Sequence, residues 1–129
     1  MARKVREDLA KSNPYYISKF RRKELKYFCL QYYEWKKYLL SFELRTGEDE
    51  WDDPTGDEAV ERTLAKEKMT LVEKISINAG EDIKDYILIA VTQDLSYADM
   101  QKKYIIPCGR DYFYDRLHKF YYLLSQEKH

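Results

Sequence analysis

The chain has 129 residues, of which 44% are hydrophobic and 36% charged, and its formal net charge is zero. This length predicts one domain, or one domain with an arm, and no window approaches the roughly 18 apolar residues that span a bilayer. The chain begins without a signal-peptide pattern and its two cysteines match no metal or redox spacing, so we expect a cytoplasmic protein with reduced thiols, no membrane association and no cofactor.

Charge is distributed unevenly along the chain. Residues 1–45 carry 12 Lys/Arg against 5 Asp/Glu, residues 46–95 carry 5 against 14, and residues 96–129 carry 6 against 4. A basic N-terminal part is suited to phosphate or to an acidic partner, and equally to the acidic middle of the same chain. The sequence leaves both alternatives open.

Residues 1–19 are predicted to form a basic N-terminal arm, and a helix is predicted from about residue 20 to 44. Apolar side chains recur along this helix at heptad-like spacing, which predicts a seam that packs on another helix. The seam residues are Leu25, Phe28, Tyr32, Trp35, Leu39 and Phe42. The seam is shorter than three heptads, which favours a partner helix within the chain, while a coiled-coil dimer that uses these six residues as an oligomer interface remains the alternative.

The segment "RTGEDEWDDPTGDE" is predicted to be an acidic loop, and its spacing does not fit a calcium-binding EF-hand. Thr55 or Asp57 is expected to cap a second helix over about 58–78. A third helix is predicted over about 82–93. Residues 20–79 would thus form a helical packing or oligomerisation region, and residues 80–129 a helix-turn-helix region.

The segment "SYADMQKKYIIPCGRDYFYDRLHKFYYLL" predicts two helices separated by a tight break. Ser96 and Asp99 form a variant of the capping box, and Pro107 and Gly109 interrupt the helical pattern. A last helix is expected from about residue 110 to 126. Its predicted core face comprises Phe113, Leu117, Phe120, Tyr121 and Leu124, and its predicted exposed face comprises Asp111, Tyr112, Asp115, His118, Lys119 and Tyr122.

The predicted fold is therefore all-α, with the long N-terminal helix and the second helix packed against a C-terminal tri-helical helix-turn-helix unit. In DNA-binding versions of this unit, early residues of the second helix reach base edges in the major groove. The candidate residues on that helix are Arg110, Tyr112, Tyr114, Asp115, Arg116 and Lys119. Phosphate contacts are expected from Arg116 and from basic residues of the N-terminal part, namely Arg3, Lys4, Arg6, Arg21, Arg22 and Lys23.

The motif "IPCGRDYFYDRLHKFYYLL", with "KYFCLQYYEWKKYL" and "DDPTGDEAVERTLAKEKMTLVEKI", resembles small phage and prophage proteins of Gram-positive bacteria. These proteins are grouped with late-gene transcription regulators of the RinA/ArpU type, whose C-terminal part is similar to sigma factor region 4. The resemblance covers about residues 13–125 and implies sequence-specific binding to double-stranded DNA. A homodimer and a host protein such as RNA polymerase are further candidate partners. One departure is that Leu117 and His118 interrupt the basic run found in related sequences.

Two other functions remain as alternatives. One is a packaging protein like the small subunit of a phage terminase, which would form a ring. The other is a phage-encoded inhibitor that binds a host enzyme and has no role with DNA. The chain has no catalytic constellation and no Gly-rich phosphate loop, so we do not expect an enzyme.

Overall fold

The computed structural model describes residues 10–46 and 56–128, and every regular element in these ranges is helical. The six α-helices of the described ranges are α1 (Lys19–Leu30), α2 (Tyr32–Thr46), α3 (Gly56–Ala79), α4 (Lys84–Gln93), α5 (Tyr97–Lys103) and α6 (Arg110–Glu127), and a 3₁₀ turn (Glu81–Ile83) precedes α4. The all-α prediction is confirmed. The basic residues Arg3, Lys4 and Arg6, the proposed cap Thr55 and most of the acidic loop lie outside the described residues.

The predicted long N-terminal helix is two helices rather than one, so this part of the prediction is wrong. The chain makes a turn at Gln31, whose backbone N–H donates to the Phe28 carbonyl three residues earlier over 3.2 Å. One tight turn of this kind locally replaces the i to i−4 ladder of an α-helix. The Trp35 N–H then donates to the Gln31 carbonyl, which resumes the α-helical pattern. The apolar periodicity continues across the turn, so the sequence pattern could not reveal it.

Helix α6 lies at the centre of the fold and packs against α1, α3, α4 and α5. Its side chains Phe113, Phe120 and Leu124 are fully buried, and Leu117 and Tyr121 are nearly so. The predicted core face of this helix is therefore confirmed. Because α6 contacts α1 and α3 as well as its own neighbours, the regions 20–79 and 80–129 share one hydrophobic core.

Helix α2 completes the fold by packing along α3. Tyr32 and Phe42 of α2 are buried, and the Tyr32 hydroxyl donates to Glu73 of α3 over 2.5 Å. Among the described residues, no helix is long and apolar enough to cross a membrane.

Two local features shape the chain at the two ends of α4. Asp94 ends α4 in the left-handed conformation, with φ of 54°, and this reverses the chain toward α5. Gly80 lies where α3 ends, and a Cβ atom there would stand 3.1 Å from Cδ of Arg116 and 3.3 Å from Cδ1 of Ile87. The absence of a side chain at Gly80 thus lets α4 and α6 approach the end of α3.

Candidate nucleic-acid interface

The helix-turn-helix pair α5 and α6 is held together by hydrogen bonds at its turn. Both halves of the predicted capping box form: the Asp99 N–H donates to Ser96 Oγ, and the Ser96 N–H donates to the Asp99 carboxylate, each over 3.1 Å. The Tyr97 N–H donates to the Tyr114 hydroxyl over 3.1 Å, and the Tyr97 hydroxyl donates to the Cys108 carbonyl over 2.7 Å. The start of α5 is therefore fixed to both the turn and α6.

The first turn of α6 is exposed, as the DNA-binding hypothesis requires. Arg110 is exposed, and its guanidinium lies 6.0 Å from the centroid of the Tyr114 ring. Tyr112 is 41% exposed, and its hydroxyl donates to Asp82 over 2.8 Å. The hydrogen bond to Asp82 raises the pKa of Tyr112, so the hydroxyl is a neutral donor already in use.

Arg116, a candidate phosphate contact, points toward α3. Its Nη1 donates to the Ala79 carbonyl over 3.3 Å and its Nε donates to Asp115 over 3.0 Å, with a second contact from Nη2 to the same carboxylate. The hydrogen bonds that Arg116 donates to the Asp115 carboxylate raise the pKa of Arg116. The guanidinium thus joins α6 to the last carbonyl of α3, where a cation is favoured by the helix dipole.

His118 was expected on the exposed face of α6, and the structure contradicts this. The side chain is only 7% exposed, because α1 crosses α6 at this position. Nη1 of Arg22 lies 2.8 Å from His118 Nδ1, and the guanidinium of Arg22 also stacks 4.9 Å from the centroid of the Tyr121 ring. Burial, followed by the charge of Arg22, lowers the pKa of His118 to about 4, so its neutral Nδ1 accepts the hydrogen bond at neutral pH.

Arg21 is also engaged within the chain. Its Nε donates to Ser125 Oγ and its Nη2 to the Ser125 carbonyl, each over 3.1 Å, and Nη2 also contacts the Lys128 carbonyl. Its remaining nitrogen pairs with Glu24. Arg21 therefore caps the C-terminal end of α6, where unpaired carbonyls attract a cation.

The N-terminal segment also covers part of the exposed face of α6. The ring centroids of Tyr15 and Tyr122 are 5.8 Å apart. Lys119, one turn before Tyr122 on α6, is half-buried. The surface of α6 that is open to a large partner is therefore concentrated in its first two turns.

A groove between α1 and the helix-turn-helix unit brings together five cations. Four basic residues of α1 follow one helical face at spacings i, i+3, i+4 and i+7, and they stand opposite the first turn of α6. We call this surface the basic groove: Lys19, Arg22, Lys23 and Lys26 on one wall, with Arg110 and Tyr114 on the other. Sequence reasoning selected Arg22, Lys23 and Arg110 but missed Lys19 and Lys26, although their helical spacing was visible in the sequence.

Both carboxylates of the groove already have partners within the chain. Lys26 Nζ lies 3.0 Å from Asp94, and Asp99 is held by Ser96 and its backbone, which lowers the pKa of Asp99. Within the ranges that the structure describes, no carboxylate pairs with Lys19, Lys23 or Arg110. The groove therefore presents cations that an incoming anion can neutralise.

The seam residues proposed for an oligomer interface pack inside the chain. Leu25, Phe28, Tyr32, Trp35 and Phe42 are buried and Leu39 is half-buried. Two cations of α3 cover the seam from outside, with Lys68 over the Trp35 ring and Arg62 over the Phe42 ring. This burial agrees with the intramolecular alternative that the sequence left open.

The two cysteines have thiols of raised pKa. Cys29 is buried, which raises the pKa of its thiol to about 12, and burial also raises the pKa of Cys108. Across residues 10–46 and 56–128, no group of three or more potential metal ligands occurs.

Comparison with known proteins identifies no relative. No family model matches the chain, and neither a curated protein nor a solved structure matches it.

Proposed function

We propose that this protein is a DNA-binding transcription regulator of phage or prophage type that contacts double-stranded DNA through the basic groove. The supporting observation is the convergence of the α1 basic row and Arg110 on one groove beside the helix-turn-helix turn. Phosphate contacts supply most of the affinity of such proteins and fix their position on the duplex.

The roles within this proposal differ among the basic residues. Lys19 and Lys23 are exposed on the rim, so they contact phosphates of the duplex backbone. Arg110, in the first turn of the second helix, is suited to a base edge, because arginine binds guanine O6 and N7. Arg21 and Arg116 position α6 from within the fold.

Fluorescence anisotropy with a labelled mixed-sequence duplex tests the proposal. The double variant Lys19→Gln/Lys23→Gln removes two rim charges, and Lys66→Gln/Lys84→Gln removes two charges from exposed positions outside the groove. One phosphate contact contributes about 0.9 to the salt slope, equivalent to about eightfold in affinity at 0.1 M salt. We expect roughly 10- to 60-fold weaker binding for the groove pair and less than about threefold for the control pair. Equal losses in both pairs, or no duplex binding by the wild type, would reject the proposal.

One observation favours the second candidate function, a protein that binds a host protein through an acidic surface. Tyr112 is exposed in the first turn of α6 and its hydroxyl donates a hydrogen bond to Asp82. Asp111 precedes Tyr112 in the sequence, and Asp115 follows about one helical turn later. Carboxylates repel phosphate and attract basic protein surfaces. In the anisotropy experiment this function predicts no duplex binding at any salt concentration, and loss of a protein partner when Asp82 and Asp111 are changed to Asn.

A further inference from the structure

The basic groove contains a cavity behind its exposed rim. It encloses a cavity of about 610 Å³, which lies within the range of about 300–1,000 Å³ typical of small-molecule sites. A DNA duplex is too wide to enter a cavity of this size. Whatever fills it is therefore the size of a single small molecule or of one unit of a chain.

The inside of the cavity combines two kinds of surface. Its floor is formed by apolar groups of α4 and α6, including Ala90, Val91 and Leu117, and Tyr114 adds an aromatic ring. Its mouth is lined by the cations of the basic groove. A ligand that is complementary to both surfaces has a flat apolar part and an anionic group.

Cations line the cavity from two of its sides. Lys19 and Lys23 approach from α1, and Arg110 approaches from α6 above the Tyr114 ring, 6.0 Å from its centroid. Asp94 and Asp99, which also line the cavity, are engaged with Lys26 and with the start of α5. Neither carboxylate of the cavity forms an ion pair with any of these three cations.

We propose that this cavity binds one nucleotide, with the base against Tyr114 and the apolar floor and the phosphate between Lys19, Lys23 and Arg110. An aromatic side chain stabilises a base by stacking regardless of sequence, and an arginine binds a phosphate with paired hydrogen bonds. The nucleotide is either a free nucleoside phosphate or an unpaired nucleotide of a DNA strand, and both present the same chemistry to the site.

This inference goes beyond duplex binding and does not depend on it. The cavity is lined by both helices of the helix-turn-helix pair and by α1, and the nucleotide uses the same rim cations as the duplex. A nucleotide bound in the cavity therefore lowers the affinity for duplex DNA. By linkage, a bound duplex lowers the affinity for the nucleotide by the same factor.

Titration of the full chain, followed by ¹H–¹⁵N NMR, tests the proposal with four probes. The probes are adenosine 5′-monophosphate, adenosine, inorganic phosphate and a short oligodeoxyadenylate single strand. We expect the monophosphate to bind at least about tenfold more tightly than either adenosine or phosphate. Its shifts should be centred on Ser96, Tyr97, Gln101 and Tyr114, which line the cavity. Tighter binding of the single strand than of the monophosphate would assign the site to strand nucleotides, and the reverse order would assign it to a free nucleotide.

Matched variants separate this inference from the proposed function. Lys19→Gln/Lys23→Gln should lower the affinity for the monophosphate about tenfold or more, whereas Lys66→Gln/Lys84→Gln should leave this affinity unchanged. Unaltered NMR spectra of the free variants would confirm that both fold. Equal affinities for monophosphate and phosphate, or for monophosphate and adenosine, would overturn the inference, as would the absence of shifts in the cavity. Duplex binding without monophosphate binding rejects the nucleotide site alone, and monophosphate binding without duplex binding rejects the proposed function alone.

Discussion

Acidification should destabilise the fold through His118. Burial and the charge of Arg22 lower its pKa from 6.5 to about 4 in the folded chain, while Asp115 opposes this shift. Between these two values the unfolded chain binds a proton that the folded chain excludes. Stability is therefore fully present above about pH 6.5 and is lost as the pH falls toward 4.

The magnitude follows from the width of that window. One pKa unit corresponds to about 1.4 kcal/mol, so the shift sets a ceiling of about 3 kcal/mol. The side chain is 7% exposed and lies near the edge of the core, and solvent screening reduces the expected loss at pH 5 to about 1–2 kcal/mol. A loss of this size lowers the melting temperature by about 3–8 °C.

Urea unfolding at pH 7.5 and at pH 5.0, followed by tryptophan fluorescence, measures this loss. The control is His118→Gln, because glutamine keeps an acceptor for Arg22 and does not titrate. Other acidic groups titrate in both proteins, so the difference between the two pH responses isolates His118. We expect the wild type to lose about 1–2 kcal/mol more than the variant between these pH values. Parallel losses in the two proteins would refute the assignment of a buried neutral histidine.

Individual contacts stabilise the start of α5 and bury one of the two cysteines. Ser96→Ala removes the cap of α5 and should lower the free energy of unfolding, measured by chemical denaturation, by about 1 kcal/mol. The control Ser12→Ala, at an exposed position, should lower it by less than about 0.5 kcal/mol. Equal losses would contradict the capping box. Tyr114→Phe removes the hydroxyl that accepts a hydrogen bond from the Tyr97 N–H and should lower the free energy of unfolding by about 1–2 kcal/mol. Amide hydrogen exchange at the start of α5 should become faster, and unchanged exchange there would contradict a role for this hydrogen bond. Cys29, whose pKa is raised to about 12, should react with iodoacetamide at pH 8 only on unfolding, and the half-buried Cys108 should react first. The opposite order would show that the packing of α1 on the core does not bury Cys29.

Local signals in the sequence predicted much of the helix-turn-helix unit. The spacing of Phe113, Leu117, Phe120, Tyr121 and Leu124 defines a core face without reference to any other element. The capping box depends only on residues three positions apart. Both features are local, and the structure confirms both.

Features that depend on how helices pack were not visible in the sequence. His118 lies opposite the core face of its own helix by periodicity, and only the crossing of α1 buries it. Arg21 and Arg22 are adjacent in the sequence, but they have different partners. Arg21 donates to a carbonyl at the end of α6 and Arg22 donates to His118. The basic groove likewise exists only because α1 lies across from the first turn of α6.

The proposed DNA contact is tested most directly by the salt dependence of duplex binding in wild type and in Lys19→Gln/Lys23→Gln. If both lysines neutralise phosphates, the slope of log K against log salt should be smaller in magnitude by about 1.8 in the double variant than in wild type. The control Lys66→Gln/Lys84→Gln should keep the wild-type slope. Equal slopes in all three proteins, or no duplex binding at about 50 mM salt, would contradict a DNA interface at the basic groove.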